Sequence, residues 1–244
     1  MLITALRDRL YLSLFAVLAA VLAVAIFVGG SAISEQQQTA VVYAAGAARI
    51  VVILGVIVFV ATHIERLVES REIEAILSHA ISRTEFLLSY GLGLSLVTAL
   101  IVIPVGVVVG ALATSPAGAA LWTLSLFLEL LIVVAFALFA GLSFERSLPT
   151  VFATTGFYAF SRSIGFLLGI ATSNVRKQGG INEILNPYVE FLGLLLPRLD
   201  LFGQSSWLIY GLEKNLASVL LAQAVVGVAL LLGAAAIDLN RKQF

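Results

Sequence analysis

Three charged residues interrupt long apolar runs of this sequence: Arg49, Glu129 and Arg162. A charge surrounded by hydrocarbon is costly, so such residues usually face protein or water, where they form ion pairs or line a solute path. The sequence allows Glu129 to pair with Arg49 or with Arg162. For Arg49 it also allows a side chain that extends to the nearer end of its apolar run. For Glu129 and Arg162 it allows a role in substrate binding.

The remaining polar residues give little support to enzymatic chemistry. His63 and His79 lie outside any His-Glu-x-x-His pattern, and no serine stands in a Gly-x-Ser-x-Gly turn. Cysteine is absent, which excludes thiolate catalysis and disulfides. None of the three lysines follows a glycine, as a nucleotide-binding P-loop requires. We therefore expect no enzymatic activity and no metal or cofactor bound by this chain.

The composition defines the class of protein. Of 244 residues, 61% are hydrophobic and 11% are charged, with a mean hydropathy of +1.09. Soluble domains carry about 25% charged residues, so this chain has too little polar surface to cover a globule in water. Basic and acidic residues balance at 14 each, which gives no basic face for nucleic acid. The sequence predicts an integral membrane protein.

Six apolar stretches predict the elements that must position the charged residues. A helix crosses the hydrocarbon core with about 20 residues, and a helix is expected because lipid offers no partner for backbone polar groups. The stretches are Leu10–Gly30, Val41–Thr62, Phe86–Ala113, Ala119–Phe144, Leu148–Ala171 and Leu216–Ile237. We expect an all-α polytopic protein in which residues 1–244 form a single transmembrane domain with six spans.

The distribution of Lys and Arg orients the predicted spans. With the N-terminus in the cytoplasm, eight basic residues fall on the cytoplasmic side: Arg7, Arg9, Arg66, Arg71, Arg83, Arg146, Arg241 and Lys242. The first two external loops carry none, and the last external segment carries Arg176, Lys177, Arg198 and Lys214. This pattern predicts a multi-pass protein of the bacterial inner or plasma membrane with both termini in the cytoplasm.

The last external segment, residues 172–215, is long and partly apolar. It contains two short apolar runs, Ile184–Leu196 and Leu199–Tyr210, broken by Pro187 and Pro197. Runs of this length are too short to span a bilayer and are typical of re-entrant or interfacial helices. The alternative is an amphipathic loop that lies on the membrane surface.

Pairs of glycines four residues apart occur at Gly106 and Gly110 and at Gly165 and Gly169. This spacing lets two helix backbones approach closely. The sequence favours contacts between helices of one chain and leaves a contact between two chains as the alternative.

The largest polar interruption, residues 63–85, lies between the second and third apolar stretches. Its apolar residues recur at helical spacing: Ile73, Ile76, Leu77, Ala80 and Ile81. They form one face of a short amphipathic helix, and Arg71, Glu72 and Glu74 lie on the other faces. Because this polar face carries more acid than base, anionic lipid is a poor partner. The pattern predicts a helix that docks onto a soluble protein.

The run from Glu69 to Phe86 resembles the first cytoplasmic loop of type-2 ABC exporter permeases. In that family a segment of the form E-x-R-E-x-E-x-x-L-S-x-P-x-S-R forms the coupling helix, which docks onto a separate ATP-hydrolysing subunit. The coupling residues that the resemblance implies are Arg71, Glu72, Glu74, Ile76, Leu77, Ser78, Ile81, Ser82 and Arg83. Ala80 stands where the family usually has proline. Six spans and an insertion before the last one also resemble the family.

The resemblance implies the permease subunit of an ATP-driven exporter. Its expected partners are an ABC ATPase subunit, which would bind ATP and Mg, a second permease chain in a homodimer, and the lipid bilayer; nucleic acid is not expected. An amphiphilic or lipid-linked cargo fits the apolar walls. The alternative is an ion-coupled secondary transporter or channel without an ATPase, in which Glu129 and Arg162 would be central. A third reading is a membrane scaffold without transport.

Overall fold

The computed structural model describes residues 9–31, 35–70, 82–172, 193, 196–211 and 216–241. Within these ranges the chain is helical and contains no β-strand. The elements are α1 (Arg9–Ser31), α2 (Gln36–Glu69), α3 (Arg83–Leu112), α4 (Pro116–Phe144), α5 (Ser147–Thr172), a 3₁₀ turn (Leu199–Leu201), α6 (Trp207–Tyr210) and α7 (Leu216–Arg241). The all-α class is confirmed, and a helix coincides with each of the six apolar stretches.

Four of these helices, α2, α3, α4 and α7, are long and apolar enough to cross a membrane. Their lengths of 26 to 34 residues correspond to about 39–51 Å, more than the hydrocarbon core of about 30 Å. For α1 and α5 a membrane crossing stays a prediction. The apolar run of α5 is interrupted by Arg162 and by several Ser and Thr residues.

Helix α4 lies at the centre of the bundle. It contacts α2, α3, α5, α6 and α7, and most of its length is buried. Its large side chains supply much of the core: Trp122, Leu126, Leu130, Ile132 and Leu138 are at most 1% exposed. A charged residue on this helix is therefore surrounded by protein rather than by lipid or water.

Close helix contacts occur where one partner is glycine. A side chain at Gly106 of α3 would overlap Thr123 of α4, and one at Gly141 of α4 would overlap Ile64 of α2. The pair at Gly106 and Gly110 therefore packs within the chain, which was the favoured use of this spacing. In the second pair a side chain at Gly165 would overlap Asp200, whereas a side chain at Gly169 would meet none of the described residues within 4 Å.

Local sequence signals begin two of the helices. The Ser82 hydroxyl accepts a hydrogen bond from the Glu85 N–H at 3.1 Å, and the Glu85 carboxylate accepts one from the Ser82 N–H at 2.9 Å. This reciprocal capping box satisfies two backbone donors at the start of α3. At α4 the Ser115 hydroxyl accepts from the Gly118 N–H at 3.2 Å, and Pro116 takes the first helical position, where its fixed φ fits.

Helix α2 is longer than the sequence predicts. It continues seven residues past Thr62, the expected end of the second apolar stretch, to Glu69. Residues 63–69, predicted as part of a cytoplasmic loop, therefore belong to α2, and residues 83–85 belong to α3. The prediction was wrong here because hydropathy marks where charges enter the sequence and not where the backbone hydrogen bonds of a helix end.

Several polar contacts join the helices at one end of the bundle, which we call the basal end: the last turn of α2, the first turn of α3, the α4–α5 link and the last turn of α7. Glu65 of α2 accepts a hydrogen bond from the Ser147 N–H at 3.0 Å. The Ser143 hydroxyl donates to Asp238 at 2.8 Å. The start of α2 and the link at 113–115 lie at the opposite, apical end. Because α1 to α5 run alternately up and down, Arg9 and Arg241 both lie at the basal end.

The outer surface of the bundle is strongly apolar. Large exposed side chains of α3 follow one face at helical spacing: Leu88, Leu92, Leu96, Leu100, Ile103 and Val107. On a protein in water such a continuous patch would favour aggregation or binding. Together with the four long apolar helices, this stripe identifies α3 as a helix that faces lipid or another apolar partner.

Candidate functional site

The three charged residues found in apolar runs meet inside the bundle. Glu129 of α4 lies between Arg49 of α2 and Arg162 of α5. Arg49 Nη1 is 3.1 Å from Glu129 Oε2, and Arg162 Nη1 is 3.1 Å from Glu129 Oε1. The structure thus brings together all three intramembrane charges of the sequence analysis. We call them, with the backbone that they bind, the charge cluster.

The cluster lies near mid-depth in the bundle. Glu129 stands midway along α4, and Arg162 stands ten residues before the end of α5, which is about 15 Å along the helix axis. The side chain of Glu129 is fully buried and that of Arg49 is 4% exposed, whereas that of Arg162 is 34% exposed. Arg49 therefore does not extend to the end of its apolar run, which was the alternative open to it.

Both arginines also bind the backbone of the segment 196–211. Arg49 Nη1 donates to the Phe202 carbonyl at 2.8 Å. Arg162 Nη1 donates to the carbonyls of Leu199 and Phe202, at 2.8 and 3.0 Å. Charge-assisted hydrogen bonds are stronger than neutral ones. The Leu199 carbonyl also accepts from the Phe202 N–H at 3.2 Å, whereas both arginines donate to the Phe202 carbonyl, which ends the 3₁₀ turn. Leu199 and Phe202 are fully buried.

The same segment is fixed at the apical end by other contacts. The Leu208 carbonyl accepts hydrogen bonds from the N–H groups of Thr114 and Ser115, at 3.0 and 3.1 Å. A side chain at Gly118 would overlap the Trp207 carbonyl, so glycine lets α6 lie directly against α4. Residues 199–211 therefore run from the level of the charge cluster to the apical end, between the long helices.

The surroundings of Arg49 leave part of its guanidinium without hydrogen-bond partners. Its Nε and Nη2 atoms are buried and make no hydrogen bond among the described residues. The Arg49 guanidinium carbon lies 5.4 Å from the ring centroid of Trp122, a cation–π contact. Glu129 Oε2 lies within ion-pair distance of Arg49 Nη1 but lacks hydrogen-bond geometry to it. The Arg49–Glu129 contact is therefore an ion pair without a hydrogen bond, and the hydrogen bond from Arg49 Nη1 is donated to the Phe202 carbonyl.

Two glycines allow close contacts of the 196–211 segment. Gly203 lets its backbone approach Arg49, and Gly165 of α5 leaves room for Asp200. Gly203 has φ +59, in the left-handed region, and a side chain there would overlap the Arg49 guanidinium. Glycine alone adopts this conformation without cost. A side chain at Gly165 would overlap the carboxylate of Asp200, which pairs with Arg198 at 2.9 Å.

Sequence reasoning missed Tyr158 as a member of the cluster. Its side chain lies close enough to the Glu129 carboxylate for the two groups to interact electrostatically. Tyr158 precedes Arg162 by four residues, which places both side chains on the same face of α5. That spacing was the available signal. Nothing in the sequence signalled the carbonyl acceptors at Leu199 and Phe202, because backbone groups leave no trace in residue type.

Most of the predicted coupling residues lie outside the described residues: Arg71, Glu72, Glu74, Ile76, Leu77, Ser78 and Ile81. The structure describes Ser82, which caps α3, and Arg83, whose guanidinium donates a hydrogen bond to the Leu239 carbonyl of α7. Both residues thus make contacts within the chain at the basal end. Nearby, the His63 ring stacks between those of Phe59 and Tyr90, with centroids 5.8 and 6.0 Å apart.

Comparison with known proteins adds no relative to this chain. No protein-family model matches it, and no curated protein matches it significantly. Within the described ranges, no three His, Asp or Glu side chains come together as metal ligands. The observed contacts of the charge cluster are ion pairs and hydrogen bonds to backbone carbonyls.

Proposed function

We propose that this chain is the permease subunit of an ATP-driven ABC exporter that works as a homodimer with two ATPase subunits. The observation that carries the proposal is the run from Glu69 to Phe86, with its charged start, its Leu-Ser centre and its Ser-Arg end. ATP would bind to the partner, because this sequence contains no P-loop. The permease would provide the solute path.

The contacts at the basal end support a coupling role for the 71–81 segment. In the sequence the segment lies between α2 and α3, and the residue that follows it, Ser82, forms the capping box with Glu85. Arg83 in turn bonds to α7 through the Leu239 carbonyl. A displacement of the segment by an ATPase subunit would therefore move the starts and ends of three helices together. Such a link would suit a transporter driven by an ATPase subunit.

The proposal includes six spans, cytoplasmic termini and a re-entrant segment before the last span. Helices α1 and α5 have 23 and 26 residues, or about 35 and 39 Å, enough to cross the hydrocarbon core. The depth of Leu199 and Phe202 beside the charge cluster supports entry of the 196–211 segment from the apical side. Non-helical backbone at this depth is tolerated where protein surrounds it.

Purification of the chain from its native membrane tests the ATPase partner. We expect a stoichiometric protein with a P-loop to co-purify with the wild-type chain. The variant Glu72→Lys should lose it, because charge reversal places a base where the partner cleft would receive an acid. The matched control is Glu145→Lys, an exposed glutamate in the α4–α5 link at the basal end, which should retain the partner. A pure preparation without an ATPase would contradict the proposal.

An ion-coupled secondary transporter is the second candidate, and the buried charge cluster favours it. Ionisable groups at this depth often form proton relays. Reconstitution into proteoliposomes separates the two candidates. Uptake of an amphiphilic cargo driven by a proton or sodium gradient, without any ATPase, would support the second candidate, whereas uptake that requires the co-purified subunit and ATP would support the exporter.

A further inference from the structure

A groove opens on the outer surface of the bundle between α3 and α7. Leu87 and Leu88 belong to its α3 wall, Leu128 and Leu131 of α4 lie at its base, and α7 forms the opposite wall. Its volume is about 550 Å³, which lies within the range of ligand pockets in proteins. We call it the α3–α7 groove.

Small residues of α7 leave the space in this groove. Ala229 and Gly233 follow one another at a spacing of four residues along the α7 wall, which places them on the same face of the helix. A side chain at Gly233 would meet none of the described residues within 4 Å. The α7 wall is therefore open to an apolar ligand that takes the place of larger side chains.

The groove has the depth of one bilayer leaflet. On α7 it extends over the twelve residue steps from Ala224 to Ala236, or about 18 Å, and half of the hydrocarbon core is about 15 Å. Thr84 in the first turn of α3 places one end of the groove at the basal end of the bundle. Leu128 lies near the middle of α4 and places the other end at mid-depth.

The lining of the groove suits a hydrocarbon chain. Apart from Thr84 at the basal end, every described lining residue is apolar. Leu88 belongs both to the groove and to the exposed apolar stripe of α3, so the groove is continuous with the surface that α3 presents to lipid. A flexible chain can enter it from the side and pack along it by dispersion contacts, as side chains do between helices in a membrane.

Contacts between α3 and α7 keep the groove narrow. Arg83 donates a hydrogen bond to the Leu239 carbonyl at the basal end. Two turns further along α3, a side chain at Gly91 would lie in ordinary contact with Leu232. Because the two helices touch at both levels, a helix of a second copy, about 10 Å wide, does not fit between them, whereas an acyl chain does.

We propose that the α3–α7 groove binds one acyl chain of a membrane lipid of the basal leaflet, with the polar head of that lipid at the level of Thr84. The inference rests on the membrane setting of the proposed function and not on an ATPase partner. It deepens that function by naming the leaflet and the part of an amphiphile that the permease would bind.

The experiment uses the purified full chain in a steroid detergent, whose rigid rings offer no flexible chain, and adds phosphatidylcholine with brominated acyl chains, which quench tryptophan at short range. Val225→Trp places the fluorophore in the groove, and Val226→Trp places it on the neighbouring residue outside the lining. Both valines are exposed, at 66% and 57%. The wild-type chain, whose Trp122 and Trp207 are buried, gives the background.

We expect the quenching of Val225→Trp to saturate, with its half-point at about tenfold lower mole fraction of brominated lipid than for Val226→Trp. A chain in the groove contacts protein on three sides and gains many small dispersion terms that a chain on the open surface lacks. Quenching at position 226 should rise in proportion to the mole fraction, as expected for lipid that exchanges freely along the surface.

A filled groove provides the second test. Adding Gly233→Leu to Val225→Trp should abolish the saturable quenching, whereas Ala234→Leu, at an exposed neighbour outside the lining, should leave it unchanged. The same concentration dependence at positions 225 and 226 overturns the proposal even if Gly233→Leu fails to fold, and it leaves the exporter assignment untouched. Disulfide-linked dimers of a Val225→Cys chain in native membranes, without dimers of Val226→Cys, would also overturn it, in favour of a second copy.

Discussion

Glu129 holds two guanidinium groups together inside the bundle. Its two oxygens face Arg49 and Arg162, and both arginines bind the same backbone carbonyl of Phe202. Without the carboxylate, the buried Arg49 and the partly exposed Arg162 would face each other across one carbonyl. We therefore expect the position of the 199–203 backbone to depend on Glu129, a residue of another helix 70 to 74 positions earlier in the sequence.

The variant Glu129→Gln tests this dependence. It keeps the size and hydrogen-bonding capacity of the side chain and removes its charge. Breaking a buried ion pair costs about 3 kcal/mol or more, which corresponds to a fall in the unfolding midpoint of roughly 6–12 °C for a chain of this size. The intrinsic fluorescence of the buried Trp122 and Trp207 reports unfolding without a thiol-reactive dye, which this cysteine-free sequence would not bind.

The control for this variant is Glu145→Gln, an exposed glutamate just after the end of the same helix. Its midpoint should change by less than about 2 °C, because exposed charges contribute little to stability. Equal midpoints for the Glu129 and Glu145 variants would show that the cluster does not stabilise the fold.

Gly203 permits the close contact of backbone and guanidinium. The variant Gly203→Ala should destabilise the protein by at least about 1 kcal/mol, because alanine is strained at positive φ and its Cβ would overlap Arg49. The control Gly156→Ala lies in α5, where a side chain meets nothing within 4 Å, and should be neutral or stabilising by up to about 1 kcal/mol. Thermal unfolding followed by tryptophan fluorescence compares the two, and a neutral Gly203→Ala would contradict the described contact.

At the residue scale the sequence identified the participants but not their arrangement. Arg49, Glu129 and Arg162 stood out because each charge interrupts an apolar run. Their pairing depends on how α2, α4 and α5 pack, and hydropathy contains no information on packing. Nothing in the sequence indicated that the carbonyls of Leu199 and Phe202 accept hydrogen bonds from the arginines, since any residue type can supply a carbonyl.

At the scale of elements, long apolar runs predict helices well because backbone groups in lipid must be satisfied within the segment. Their ends are predicted poorly. Helix α2 ends at Glu69 and not at Thr62, where the apolar stretch ends. Its last two turns are helical although they contain polar residues. The start of α3 was better specified, since Ser82 and Glu85 form a capping box that is visible in sequence.

The capping box leads to a prediction on the segment that precedes α3. Ser82→Ala removes the acceptor of the Glu85 N–H and should cost about 1 kcal/mol, so the Glu85 amide should exchange its hydrogen about fivefold faster. Hydrogen-exchange mass spectrometry of the peptide that begins α3 measures this rate. The control is Ser95→Ala, whose hydroxyl donates to the Gly91 carbonyl within the helix, and it should leave that peptide unchanged. Equal exchange in the two variants would exclude a capping role for Ser82.

At the scale of the whole molecule, consecutive helices run in opposite directions. The direction of each helix therefore decides whether its ends, and the basic residues near them, lie at the basal or the apical end. The basal end collects the last turn of α2, the start of α3 and the end of α7, where Arg66, Arg83 and Arg241 lie. The apical end contains the 113–115 link, with neither Lys nor Arg, and the exposed Tyr210. Basic residues are retained in the cytoplasm, so the basal end should be cytoplasmic.

Single-cysteine labelling of intact cells tests this orientation against a background free of cysteine. Tyr210→Cys replaces a side chain that is 80% exposed near the apical end, and a membrane-impermeant maleimide should label it from outside. Glu69→Cys, exposed in the last turn of α2, should react only after permeabilisation. The reverse pattern would invert the orientation and move the 71–81 segment away from any cytoplasmic ATPase. External labelling at both positions would contradict a membrane crossing by α2, because positions 69 and 210 lie at opposite ends of the bundle.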